Sequence, residues 1–127
     1  MTDSLHRLFD AVAASRNKDP LTSRTGRLLR AGKRKIAKKV AEEAAEVALD
    51  AVAGNRQEVI RESADLLYHL VVLWAATNVQ PKDVWAEMDR REKILGIAEK
   101  IPKGGMPDVA RDKNPVPIER ARRRRAR

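Results

Sequence analysis

Between Leu66 and Ala76 the chain reads Leu-Leu-Tyr-His-Leu-Val-Val-Leu-Trp-Ala-Ala, which as a helix is apolar all round. A helix with no polar face has to lie at the centre of a bundle, so this segment dictates its surroundings. It is too short to cross a membrane, which takes about 18 consecutive apolar residues. Four segments carry helical periodicity, and none shows the sustained alternation of a strand. The first is predicted at about residues 5–16, capped by Asp3 or Ser4, with Leu5, Leu8, Phe9 and Val12 on one stripe. Residues 17–32 are rich in turn formers and read as a loop with a short helical turn near Leu28. The second helix is expected over about 33–53 and breaks at Gly54–Asn55. The third runs over about 56–77 and contains the apolar segment. Pro81 opens a fourth that reaches about Ile94. The expected fold is all-α, a bundle of four to five helices in which the second and third form an antiparallel pair.

Composition narrows the chemistry. The 127 residues suffice for one domain, placed at residues 1–101 and followed by a basic tail at 102–127. The absence of cysteine excludes disulfide scaffolds, thiol catalysis and Cys-ligated metal sites. His6 and His69 have no second histidine at ligand spacing, which argues against zinc, and the Glu-x-x-His pairs of a di-iron bundle are missing. The first twenty residues, with Asp3, Asp10 and Asp19, do not read as a signal peptide, so a cytoplasmic protein is expected. The formal net charge is +9, but residues 102–127 hold nine Lys/Arg against Asp108, Asp112 and Glu119. Most of the basicity therefore sits in the tail. Arg122 to Arg125 offer contacts to nucleic-acid phosphates. No aromatic residues interleave them to stack bases, so nucleic acid is not the expected partner.

The acidic residues lie beside the apolar stripes rather than opposite them. With Glu42 at zero on a wheel of about 100° per residue, Glu46 falls near 40° and Glu43 near 100°. Ile36, Val40, Val47 and Ala51 occupy roughly 120° to 180°. On the third helix Glu62 and Asp65 are neighbours three residues apart, and Glu58 and His69 extend their stripe. Two matching pairs, Glu43-x-x-Glu46 and Glu62-x-x-Asp65, thus stand on consecutive antiparallel helices. If they face one another, four carboxylates share one small volume, which needs a divalent cation. All-oxygen ligands favour Mg²⁺, with Mn²⁺ possible. On spacing alone a plainer arrangement stays open, with Lys38–Glu42 and Lys39–Glu43 as solvated i,i+4 ion pairs.

The run Lys39-Val40-Ala41-Glu42-Glu43-Ala44-Ala45-Glu46, followed by Glu62-Ser63-Ala64-Asp65-Leu66-Leu67-Tyr68-His69, resembles the phosphoribosyl-ATP pyrophosphatases of histidine biosynthesis. These belong to the all-α nucleoside-triphosphate pyrophosphatases, whose shared signature is EExxE followed by ExxD. The likeness covers roughly residues 5–100 and includes Asp19-Pro20, the Ser23-x-Thr25 loop, Leu28-Leu29, Gly32 and Gly96 with Glu99-Lys100. Arg24 stands where the family usually carries tyrosine, Ala41 where it carries glycine, and the Arg-rich extension is additional.

The resemblance implies Mg²⁺-dependent hydrolysis of phosphoribosyl-ATP to phosphoribosyl-AMP and pyrophosphate. Glu43, Glu46, Glu62 and Asp65 are then the expected metal ligands. Glu42, with Glu43, is the expected catalytic group that orients the water or accepts its proton. Lys39, Arg24 and Arg27 are the expected phosphate or ribose contacts. Two alternatives are a house-cleaning pyrophosphatase acting on another nucleotide and a nucleic-acid-binding protein that uses the tail. The circumference of the third helix exceeds what one chain can cover, so a homodimer or larger even assembly is expected. The resemblance implies the same dimer.

Overall fold

The computed structural model describes residues 3–94, which form five α-helices and, among the described residues, no strand. They are α1 (Ser4–Ala14), α2 (Arg24–Ala31), α3 (Lys33–Ala53), α4 (Arg56–Ala76) and α5 (Pro81–Ile94). The all-α expectation holds. The basic tail at 102–127 lies outside the described residues. No described helix is long and apolar enough to cross a membrane.

Each boundary has a local cause. Asp3 caps α1 by accepting from the His6 amide at 2.7 Å. Gly54 ends α3 in the left-handed region at φ 79°, where its amide donates to Ala51 and the Asn55 amide to Asp50. This tight closure lets α4 start at once and fold back along α3. Residues 24–31 depart from the expected loop by forming a full helix. Ser23 caps it, its Oγ accepting from the Gly26 amide at 3.0 Å, and Leu28 and Leu29 pack against the core. The density of Ser, Thr, Gly and Pro around this segment hides a helix whose stability comes from tertiary contact.

The described residues divide into two compact units after Ala86. In the first, α3 and α4 form the main pair, with α1 packed on α4 and α2 packed on both, chiefly on α3. The core gathers at one end of that pair, where Val12, Ile36, Val71, Val72 and Ala75 are buried. Trp74 and Trp85 meet edge to face at 6.2 Å, and the Trp85 indole donates to Asp3 at 3.1 Å. Arg16 donates to the Ala75 carbonyl and so satisfies one orphan acceptor at the end of α4. The described part of the second unit is the last turns of α5. There Arg90 and Arg91 clasp Glu87 and hold its carboxyl down to about 2.

Among the described residues, the opposite end of the α3–α4 pair is uncovered. Leu49 and Val52 on α3 are 70% and 90% exposed, and Ile60 and Leu67 on α4 are 48% and 42% exposed. Ala51, placed on the buried stripe by the wheel, is exposed here because no described helix covers this end of the pair.

Gly26 is where α2 meets the preceding loop most closely. A Cβ there would lie 3.1 Å from the Lys18 carbonyl, 3.2 Å from Ser23 Oγ and 3.3 Å from the Ser15 carbonyl. Two of these are backbone atoms, which cannot swing aside. Gly26→Ala is therefore expected to cost about 1–3 kcal/mol, read as a lower urea midpoint at an unchanged m value.

Candidate active site

The turn at Gly54 brings the C-terminal half of α3 against the N-terminal half of α4, and their acidic stripes meet. Carboxylate oxygens of Glu43, Glu62 and Asp65 lie within 4.8 Å of one another, each from a half-buried side chain. Glu43 Oε2 and Glu62 Oε2 are buried without a hydrogen-bond partner. A second trio, Asp50, Glu58 and Glu62, also falls within 4.8 Å. Two of its members are otherwise engaged, Glu58 with Arg61 and Asp50 with the Asn55 side chain at 3.4 Å. The first trio has no ion-pair partner among the described residues. Two orphaned oxygens among three carboxylates fit a hard divalent cation.

Glu46 is exposed and is not in the close trio, yet its carboxyl belongs to the same electrostatic unit. It is held above the ordinary carboxylate range, first by hydrogen bonding with Glu62 and then by that group's charge, desolvation and Glu42. Glu62 is also raised. A hydrogen bond with Glu46 pulls it down, but Glu43, burial and the charge of Asp65 outweigh that. Glu42 is exposed beside Glu43. The i,i+4 pairs Lys38–Glu42 and Lys39–Glu43, the plainer expectation, do not form among the described residues.

Lys39 instead lines a cavity of about 250 Å³ with Arg24, Arg27, Leu28, Ala31, Lys35 and His69. The three residues expected to contact substrate thus share one wall, although α2 and α3 contribute them separately. Arg27 also donates to the Pro20 carbonyl at 3.2 Å. Arg24 stacks over the Tyr68 ring with its guanidinium carbon 5.3 Å from the centroid, and Thr25 and Tyr68 share a hydroxyl hydrogen bond of 2.6 Å. Sequence reasoning missed Lys35, one turn before Lys39, and placed His69 on the acidic stripe of the third helix without foreseeing a cavity beside it. A signal was available, since no acid interrupts the chain from Pro20 to Ala41.

The raised carboxyls make the metal-free protein sensitive to pH. Glu46 and Glu62 bind protons more readily folded than unfolded. The stability they contribute is complete below 4.5, the ordinary glutamate value, and is lost as pH rises through their raised values. In chelator, Glu46→Gln is expected to unfold at higher urea than the parent near pH 7, with the gap closing below that ordinary value. Parallel urea curves at the two pH values check this.

Comparison with known proteins covers the helices just described. Residues 3–92 match the phosphoribosyl-ATP pyrophosphohydrolase family. Phosphoribosyl-ATP pyrophosphatase 2 of Rhodopseudomonas palustris is 67% identical over 103 residues, covering 81% of this chain and 79% of its own length. Its namesake from Bradyrhizobium diazoefficiens is 62% identical over 112 residues, covering 87% and 84%. Phosphoribosyl-ATP pyrophosphatase of Gluconobacter oxydans is 53% identical over 96 residues, covering 76% and 72%. With matches of this extent across the helices that carry the carboxylates and the cationic cavity, the chain belongs to the phosphoribosyl-ATP pyrophosphohydrolase family.

Proposed function

We propose that this protein hydrolyses phosphoribosyl-ATP to phosphoribosyl-AMP and pyrophosphate in the cytoplasm, with Mg²⁺ (or Mn²⁺) held by Glu43, Glu46, Glu62 and Asp65. The observation that carries the reading is the half-buried carboxylate trio with two orphaned oxygens, set one helical turn from a cation-lined cavity. Acidic residues alone repel a polyphosphate. Joined to a divalent cation and flanked by Lys39, Arg24 and Arg27, they form a site that attracts one. When bound, the cation neutralises charge on the phosphate oxygens and acidifies a nearby water.

The protein's own groups complete the reaction. Water attacks phosphorus, the anhydride bond between the α- and β-phosphates breaks, and pyrophosphate leaves. Glu42, exposed beside Glu43, accepts the water's proton. Lys39, one turn before Glu43, holds a phosphate oxygen against the site. Arg24, steadied on Tyr68, and Arg27 bind groups remote from the reacting phosphorus.

The bare end of the α3–α4 pair belongs to the same reading. Ile60, Ala64 and Leu67 recur at i, i+4 and i+7 on α4, and Ala45, Ala48, Leu49 and Val52 line the paired stretch of α3, all exposed. Burial of each large member in a two-fold interface contributes about 1.5–3 kcal/mol, which favours a homodimer whose helix pairs form a shared four-helix core. Leu67→Asp is expected to give a monomer of about half the parent's mass in light scattering, with a matching loss of turnover.

The decisive assay is pyrophosphate release from a nucleotide panel that includes phosphoribosyl-ATP, with and without Mg²⁺. Asp65→Asn keeps shape and removes charge, so turnover is expected to fall by about 100-fold or more. Parent-like release by that variant, or preference for a nucleotide without the second ribose, would overturn the reading. Arg24→Ala is expected to raise KM by about tenfold with a smaller change in kcat, because its contact does not tighten at the reacting phosphorus.

A further inference from the structure

Arg24 is exposed and forms no ion pair among the described residues. Its guanidinium carbon lies instead over the Tyr68 ring, 5.3 Å from the centroid. A ring face attracts a cation but takes none of its N–H donors, because it presents no lone pair in the manner of an oxygen. A carboxylate in the same place would have occupied two of the five donors. Over Tyr68, Arg24 is restrained while its donors stay open to a ligand's oxygens.

Tyr68 also reaches the segment of backbone that carries Arg24. Its hydroxyl and that of Thr25 lie 2.6 Å apart in a shared hydrogen bond. Helix α2 has only eight residues, and a helix so short is marginal without tertiary anchors. Leu28 and Leu29 pack its C-terminal half against the core, whereas the two contacts to Tyr68 fall on its first turn. Tyr68 is itself well fixed. It packs against the core cluster, and its ring meets that of His69 edge to face at 5.0 Å.

We infer that Tyr68 is a positioning residue for substrate binding: its ring holds the Arg24 side chain, and its hydroxyl holds the turn of α2 from which Arg24 projects. The inference rests on the pyrophosphatase reading above and adds to it a residue on α4 that acts only through its neighbours on α2. A restrained arginine loses less rotamer freedom when a ligand binds, so removal of the ring weakens binding even though the charge remains. The two contacts also divide the work. Ring and hydroxyl can be removed one at a time, and each removal has its own expected effect.

Steady-state kinetics on phosphoribosyl-ATP and side-chain NMR of the full-length protein test this. Tyr68→Leu is expected to raise KM about tenfold with kcat within about twofold of the parent. A merely structural defect lowers kcat by removing active molecules and leaves the KM of the remainder unchanged. Tyr68→Phe, which keeps the ring, is expected to raise KM only about threefold. Combined with Arg24→Ala, Tyr68→Leu is expected to add no more than about threefold to the KM of Arg24→Ala alone, whereas independent residues would multiply to about a hundredfold over the parent. The Arg24 Nε–H is expected to be more ordered than that of Arg34, an exposed arginine on α3, and to lose that order in Tyr68→Leu. A hundredfold rise in the double variant, or an Arg24 side chain as mobile as Arg34 in the unaltered protein, overturns the inference. The second comparison needs no variant, so it decides the matter even if Tyr68→Leu does not fold. Phosphoribosyl-ATP turnover with independent effects of the two residues defeats this inference alone. An ordered Arg24 that depends on Tyr68, in a protein that leaves phosphoribosyl-ATP intact, supports the hold of Tyr68 on Arg24 and defeats the pyrophosphatase reading instead.

Discussion

Carboxylates on α3 and α4 repel one another, and the helix pair is arranged to hold them together regardless. Glu43, Glu62 and Asp65 share a space of a few ångströms, and Glu46 and Glu62 are held toward their protonated forms by that proximity. Repulsion of this kind would splay two isolated helices. Here the Gly54–Asn55 turn ties them at one end, and the core around Ile36, Val71 and Val72 clamps them at the other. The carboxylates sit between the two restraints. A cation that neutralised them would therefore add to the stability of the pair.

The same pair is graded along its length. At the core end α1 covers α4 and α2 lies across α3 and α4, and side chains disappear from solvent. In the middle, charged groups border the apolar seam and are half-buried. At the turn end nothing among the described residues covers Leu49, Val52 or Ile60. An 11-residue α1 and an eight-residue α2 are too short to shield two helices of 21 residues each. Among the described residues, the exposed apolar face follows from that mismatch.

Helix α2 gives the site its second pole. It brings Arg24 and Arg27 next to Lys35 and Lys39, and Tyr68 anchors it through Thr25 while steadying Arg24 from below. Tyr68 and His69 are consecutive residues, their rings edge to face at 5.0 Å, with Asp65 one turn earlier. One stretch of α4 thus touches the carboxylate cluster, the cavity wall and the anchor of α2.

Much of this was legible in the chain itself. The bounds of α3 and α4 follow from uninterrupted periodicity on both sides of Gly54–Asn55, and the pairing of acids follows from i,i+3 spacing, which any helix enforces. Family membership was readable too, because the acidic pairs keep their local context. α2 was legible only as a short turn near Leu28, since Ser, Thr and Gly prefer turns unless packing of Leu28 and Leu29 makes a full helix worthwhile. Nor could the wheel show that Ala51 lies open, that Glu46 stands outside the closest trio, or that Lys35 and His69 meet Arg24 across a cavity. Spacing determines which residues share a face of their own helix. Which faces meet, and how deeply, depends on helix rotation and on the lengths of the neighbours, quantities that only packing of the whole chain sets.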